Sequence, residues 1–345
     1  MKNGQQRLRG ATIGAGYFSQ IQMEAWQRVE GAVITAICDL DRNKAEGMQA
    51  MYNIPTSYTD VYQMLDTEKP DFVDIVTRPE TRLALVRAAA ERSVHVLCQK
   101  PLAPTYVDGV ALVELSRTLG VRLMVNENWR WQPWYREIRK LLANDTIGEP
   151  FYARFTIRRG DGRGENPFVN QPYFRDMPRF LLHETIVHFI DTARYLWGEI
   201  STVSSWHKRI HPDIAGEDFT LTTLGMANGM TVFIDANRYT SPILAGPART
   251  FGTLHIEGRT GQIQLQNDGS IHVYPIDKPD HVYAYEIPTV GYFGDCCRAT
   301  QQHFIDSLRD STPCETEGES YLKTFRAVFA GYESAQSGKS VRLDG

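Results

Sequence analysis

The chain has 345 residues, a formal net charge of −4 and 42% hydrophobic residues. That length suits two domains, each with its own core. Charges of both signs are interspersed without a long basic run, and no apolar run approaches about twenty residues. Composition therefore gives no footing to a nucleic-acid partner or a membrane partner.

The five cysteines are Cys38, Cys98, Cys296, Cys297 and Cys314. Their odd number and the lack of a CxxC pair argue against a disulfide framework. The opening MKNGQQRLRG carries no secretory apolar core. A reducing cytoplasm is the expected setting. Cys38 and Cys98 close apolar runs, where buried thiols act as small hydrophobes.

In chain order, Leu8 to Ile13 reads as a strand, GAG at residues 14–16 as a turn, and Phe18 to Val29 as a helix. Val33 to Asp39 is a second strand that ends in an acid. This is a βαβ unit with G-x-G in the turn and an acid about twenty residues further on. Gly14 permits the turn, and Gly16 leaves room for a pyrophosphate at the helix N-terminus. Asp39 is placed to accept hydrogen bonds from ribose hydroxyls. Its charge favours NAD, while Arg42 close behind keeps NADP open. Ser19 stands where a third glycine is usual.

Strands and helices continue to alternate: Asp71–Thr77, Glu80–Glu91, Ser93–Gln99, Thr105–Leu119 and Val121–Asn126. Apolar strands alternating with helices predict a parallel sheet covered on both faces. Pro79 and Pro101 fall just beyond strand ends, on the edge where such sheets bind cofactor. Lys100 follows a buried-looking strand on a proline-stiffened loop, a position suited to proton transfer.

Four segments together resemble the Gfo/Idh/MocA family of NAD(P)-dependent oxidoreductases: GAGYFSQ, CQKPLA, ENWRWQP and the stretch from Glu184 to Asp191. The resemblance covers nearly the whole chain. It implies a Rossmann domain over residues 1–125. Residues 126–345 would be a substrate-binding and oligomerising α+β domain with a large, mostly antiparallel open sheet, its last helices packing back on the first domain. It further implies hydride transfer between a nicotinamide cofactor and a sugar, inositol or related acid, and a homodimer or homotetramer. Lys100 becomes the catalytic lysine. Gln99 replaces the family's usual glutamate, keeping hydrogen-bonding capacity and losing a charge.

The cofactor contacts expected from these motifs are Gly14, Gly16, Tyr17, Phe18, Asp39, Arg42, Thr77, Pro79, Gln99, Lys100, Asn128 and Arg130. Two rivals share the scaffold: an NAD-dependent hydrolase, lyase or epimerase with transient redox chemistry, and a non-enzymatic NAD-binding regulator.

The stretch HETIVHFID reads as part of a buried helix from about Arg179 to Trp197. On such a helix Glu184, His188 and Asp191 share a face. His183 lies about 140° from His188 around the axis, and the spacing is not HExxH, so no metal site is expected. The resemblance makes His188 a substrate-contacting acid/base residue, Glu184 its orienting or substrate-binding neighbour, and Asp191 a more distant support. Sequence leaves open whether Lys100 or His188 takes the hydroxyl proton. Arg158 near the end of PFYARFTIRRG, Arg163 and Tyr173 in the Gly- and Pro-rich loop that follows, and Arg179 just after it are candidate substrate contacts. The runs that follow alternate apolar and polar residues, as half-exposed strands do.

Overall fold

The computed structural model describes residues 7–244 and 248–343; the MKNGQQ stretch lies outside them. Contacts divide the chain into two compact units. One holds the described residues up to Asn128 together with Val290–Phe325. The other holds Trp129–Thr289 and the residues from Arg326 onward.

The first unit is built on six parallel strands: β1 (Leu8–Ile13), β2 (Ala32–Cys38), β3 (Thr56–Tyr58), β4 (Phe72–Ile75), β5 (His95–Gln99) and β6 (Leu123–Asn126). Their spatial order is β3-β2-β1-β4-β5-β6. Between them run α1 (Tyr17–Trp26), α2 (Arg42–Tyr52), α3 (Val61–Glu68), α4 (Arg82–Ala90) and α5 (Tyr106–Thr118). The chain order reverses between β1 and β4, and the crevice beyond the carboxyl ends of those strands is where doubly wound sheets bind ligands.

β4 and β5 are buried almost throughout, as strands covered on both faces must be. One core cluster joins Met23, Trp26, Phe72, Leu97 and Met124 to Phe304 and Ile305 of the helix Cys296–Asp310. Trp26, Phe72 and Phe304 form an aromatic series with centroid spacings of 5.2 and 5.7 Å. All five cysteines are free and buried. Burial pushes the Cys38 and Cys98 thiols up to about 11, so they stay protonated and act as packing groups.

The second unit holds α6 (Pro133–Ala143), β7 (Pro150–Arg158), α7 (Val187–Trp197) and then β8 (Ile200–Lys208), β9 (Phe219–Met226), β10 (Thr231–Asn237), β11 (Thr253–Gly258), β12 (Gly261–Leu265), β13 (Ile271–Pro275), β14 (His281–Tyr283) and β15 (Val341–Arg342). The nine strands lie in the order β14-β13-β12-β11-β7-β10-β9-β8-β15. β7 and β10 pair parallel. The neighbours on either side pair antiparallel.

Alternation fixes which residues face the helices. Ala153, Phe155 and Ile157 of β7 are buried. Phe155 meets Phe189 and Trp197 of α7 at 5.4 and 6.2 Å.

Candidate functional site

In the first unit the expected cofactor residues gather at the carboxyl ends of β1, β2, β4 and β5. Gly14 has φ +105, and a Cβ there would lie 2.4 Å from the Val76 carbonyl oxygen. Only glycine fits where the turn after β1 passes the end of β4. A Cβ on Gly16, by contrast, would meet nothing within 4 Å.

Gly16 is the N-cap of α1. No side chain caps that helix, and no acid sits in its first turn. Asp41 caps α2, Asp60 caps α3 and Thr105 caps α5, while α4, like α1, starts without a side-chain cap. A helix start with open space, free first-turn N–H groups and no acid in its own first turn is what a pyrophosphate requires.

Asp39 ties this turn together. One carboxylate oxygen accepts from Ala15 N at 2.7 Å and the other from Asp41 N at 2.9 Å. Leu40 beside it is 93% exposed, an apolar surface next to the acid that suits a purine ring. These features fit a dinucleotide without a 2′-phosphate. Tyr17 is exposed and Phe18 half-buried on the first turn of α1. Arg42 lies out on α2, paired with Glu46 at 3.6 Å.

The edge continues at β5. Gln99 is buried, and its Oε1 accepts from Lys100 N at 3.0 Å. Its Nε2 has no hydrogen-bond partner among the described residues. Lys100 is half-buried and joined to Pro101 by a cis peptide bond. Thr77 and Pro79 sit in the loop after β4, where the Thr81 hydroxyl donates to Thr77 Oγ1 at 2.9 Å. Asn128 is buried, and its amide donates to the Cys296 and Cys297 sulfurs at 3.4 and 3.2 Å.

In the second unit the HETIVHFID stretch is not one regular helix. Leu181–Ile186 forms a π-helical turn, and α7 starts at Val187. Glu217 holds the turn in place: its carboxylate accepts from Phe180 N and Leu182 N at 3.3 and 2.9 Å, and from the Tyr332 hydroxyl at 2.7 Å. Burial raises the Glu217 carboxyl above its ordinary range.

The wider turn changes the expected shared face, because Glu184, His188 and Asp191 go to three different partners. Glu184 accepts from the Thr185 hydroxyl at 2.6 Å and lies 3.6 Å from Arg238 Nη1. His188 is buried and stacked on Trp129, with centroids 4.2 Å apart and planes 19° from parallel. Asp191 is buried and takes both arms of Arg130 at 2.7 Å. Wide turns of this kind recur at functional sites, where they re-aim side chains.

Two of the expected contact residues have protein partners of their own. Arg158 follows Ile157 on β7, so alternation turns it to the sheet face opposite α7, where it binds Asp235 at 2.7 Å. It does not join the group around His188. Arg130, expected at the cofactor, is buried, and its Nε and Nη2 donate to Asp191 at 2.7 Å. Arg163 and Tyr173 are exposed on the loop before the π turn, and Tyr173 accepts from Gln171 Nε2 at 2.8 Å.

The sequence reading gave no role to Arg238. It donates to both oxygens of Asp161 at 2.9 and 2.5 Å and to Thr185 Oγ1 at 2.9 Å. Its guanidinium carbon lies 5.3–5.8 Å from the rings of Phe168, Phe174, Phe180 and Phe251. A single buried arginine thus joins the loop at Asp161 to the turn bearing Glu184. Among the described residues no group of three His, Cys, Asp or Glu side chains could hold a metal ion. No helix among them is long and apolar enough to cross a membrane.

A parallel sheet in this order, with a glycine turn running into an uncapped helix, is the architecture of dinucleotide-binding proteins. Residues 8–127 match a family model described as "Oxidoreductase family, NAD-binding Rossmann fold", and residues 135–264 match the "GFO/IDH/MocA C-terminal domain". The chain belongs to the Gfo/Idh/MocA family of oxidoreductases.

Among its relatives is a D-apiose dehydrogenase of Rhizobium rhizogenes, 34% identical over 97% of both chains. A second D-apiose dehydrogenase, from Paraburkholderia graminis, is 32% identical over 98% of this chain and 90% of that protein. The crystal structure of an oxidoreductase from Agrobacterium radiobacter in complex with NAD+, L-tartaric acid and magnesium superposes with a TM-score of 0.90. That protein is 33% identical, with 98% of each chain covered.

Proposed function

We propose that the protein is an NAD-dependent dehydrogenase that oxidises a secondary or hemiacetal hydroxyl of a small sugar or related polyol. The observation that carries this reading is the placement of Lys100 on the same carboxyl edge as the Gly14–Gly16 turn, Asp39 and the uncapped start of α1. The full-length relatives named for D-apiose support the substrate class, and D-apiose is the first substrate to test.

In this reading the first turn of α1 holds the pyrophosphate through its N–H groups, with Gly16 giving the clearance. Asp39 holds the adenosine ribose and disfavours a 2′-phosphate. When bound, NAD+ supplies the acceptor for the hydride that leaves the carbinol carbon. Lys100 Nζ receives the hydroxyl proton, so the C–H electron pair and the O–H proton leave to separate acceptors and a carbonyl forms. His188 is the second candidate for that proton, and Trp129 stacked on its ring fixes the ring plane. Glu184 orients the substrate. The protein's share is alignment, and the cofactor carries the redox chemistry.

The working form is a homo-oligomer in a reducing cytoplasm. The outer face of the large sheet supports assembly: Trp206 on it is 72% exposed and is flanked in register by Leu221. Light scattering checks it, and a monomer at working concentration would refute it.

The test of function is absorbance of reduced cofactor with NAD+ and NADP+ supplied separately, over D-apiose, inositols and aldoses. NADH should form with at least one sugar, and NADPH far more slowly. Substrate consumption without accumulating NADH would move the reading to transient redox catalysis. Binding of NAD with no turnover over the whole panel would point to a regulator.

A further inference from the structure

Arg82 is the first residue of α4 and is 2% exposed. Its guanidinium reaches two loops at once. Nη2 donates to the Thr77 carbonyl at 2.7 Å and to the Lys100 carbonyl at 3.3 Å, and Nη1 donates to the Pro101 carbonyl. Thr77 belongs to the loop after β4 and Lys100–Pro101 to the loop after β5, strands that pair side by side in parallel.

The first of these loops also lies against the glycine turn. A Cβ on Gly14 would come within 2.4 Å of Val76 O and 3.2 Å of Thr77 Cγ2. The backbone that carries Lys100 and the backbone that abuts the cofactor turn are therefore held by one side chain. We propose that Arg82 is a positioning residue for Lys100, setting the height of the lysine loop against the cofactor turn. This rests on the reading of Lys100 as the proton acceptor.

The geometry calls for arginine in particular. Three carbonyls on two loops need a planar, rigid fork with separated donors, and its charge strengthens each bond. A lysine at 82 keeps the charge but offers donors from one nitrogen, so it cannot span the same acceptors. A displacement of the lysine loop of about 1 Å is enough to slow proton transfer about a hundredfold, while ground-state cofactor binding is little affected.

The test is a four-protein cycle of wild type, Arg82→Lys, Lys100→Ala and the double variant. The readouts are kcat, KM, NAD affinity by fluorescence titration and melting temperature. Arg82→Lys should lower kcat about 10- to 100-fold, with NAD affinity within about threefold. In the Lys100→Ala background the same substitution should cost less than about twofold, because the group it positions is gone.

An equal loss in both backgrounds, or no loss in wild type, overturns the proposal. Arg82→Gln repeats the cycle without a buried charge. Failure of both variants to fold also overturns it, because Arg82 would then serve the fold and not the lysine. Lys100→Ala with full turnover would instead sink the reading of Lys100, and the single variant reports that separately.

Discussion

The start of α1 and the π turn before α7 are both specialised helix beginnings, but they are held in opposite ways. α1 starts on Gly16 with no capping side chain. The π turn is gripped by charge: Glu217 takes two of its backbone N–H groups, and Arg238 reaches Thr185 and the loop at Asp161. The first is a surface of backbone donors that any pyrophosphate can use. The second is a set of side-chain bonds that fixes where Glu184 and His188 stand, the two residues proposed above to meet the substrate. The family's shared cofactor and varied substrates fit that division of labour.

The largest effect should come from Lys100→Ala, which removes the proposed proton acceptor: kcat should fall about 10²–10⁴-fold. NAD affinity measured by titration should stay within a few-fold. An unchanged kcat on the true substrate would leave the first region with binding alone.

Arg238→Met breaks the second region. It leaves Asp161 and Glu184 without the guanidinium between them; because Asp161 is partly exposed, the loss should be about 1–3 kcal/mol. The denaturant midpoint should fall accordingly, while NAD titration of the folded fraction should be unaltered. Weakened NAD binding in that fraction would show that the two regions are not independent.

A pH series sharpens the comparison from within the first unit. Asp74 on β4 is fully buried and accepts from Trp26 Nε1 at 2.7 Å; burial raises its carboxyl from 3.8 to about 7. A raised folded value means that the protonated acid favours the fold. The contribution is complete below about pH 4 and is lost as pH rises toward 7. Asp74→Asn should remove that loss. Its stability relative to wild type should climb by up to about 4 kcal/mol between pH 4 and pH 8, read from urea midpoints. A constant difference across the series would mean that Asp74 does not titrate in the folded chain.

The smallest structural effect belongs to Gly16→Ala. The new Cβ meets nothing in the protein, so stability should change by less than about 1 kcal/mol. KM for NAD should rise about tenfold, because the methyl enters the space proposed for the pyrophosphate. Gly14→Ala is the control: positive φ and the Val76 carbonyl should make it destabilising.

The cofactor edge was legible in the sequence because it is local. A glycine turn, an acid at the next strand end and alternating βα signals all lie within short windows, and each has one cheap structural solution. The second region was less legible. The residues that shape the π turn come from Glu217, Arg238 and Tyr332, far from Glu184 in sequence, and no periodicity announces a carboxylate that will cap a distant helix.

Arg130 and Arg158 looked like substrate or cofactor contacts because exposed arginines beside aromatic loops often are. In the structure they pair with Asp191 and Asp235, partners that sequence does not mark. Arg82 escaped notice for a related reason: its partners are carbonyl oxygens, which every residue carries and no sequence marks.

The missing side-chain cap on α1 also bears on how the protein survives without its nucleotide. An N-cap is worth about 0.5–2 kcal/mol to a helix, and α2, α3 and α5 each supply their own. α1 leaves that role to whatever anion binds there. On the proposed reading, a nucleotide pool that saturates the site acts on the folding equilibrium as well as on turnover, which would link protein lifetime to coenzyme supply through a single glycine.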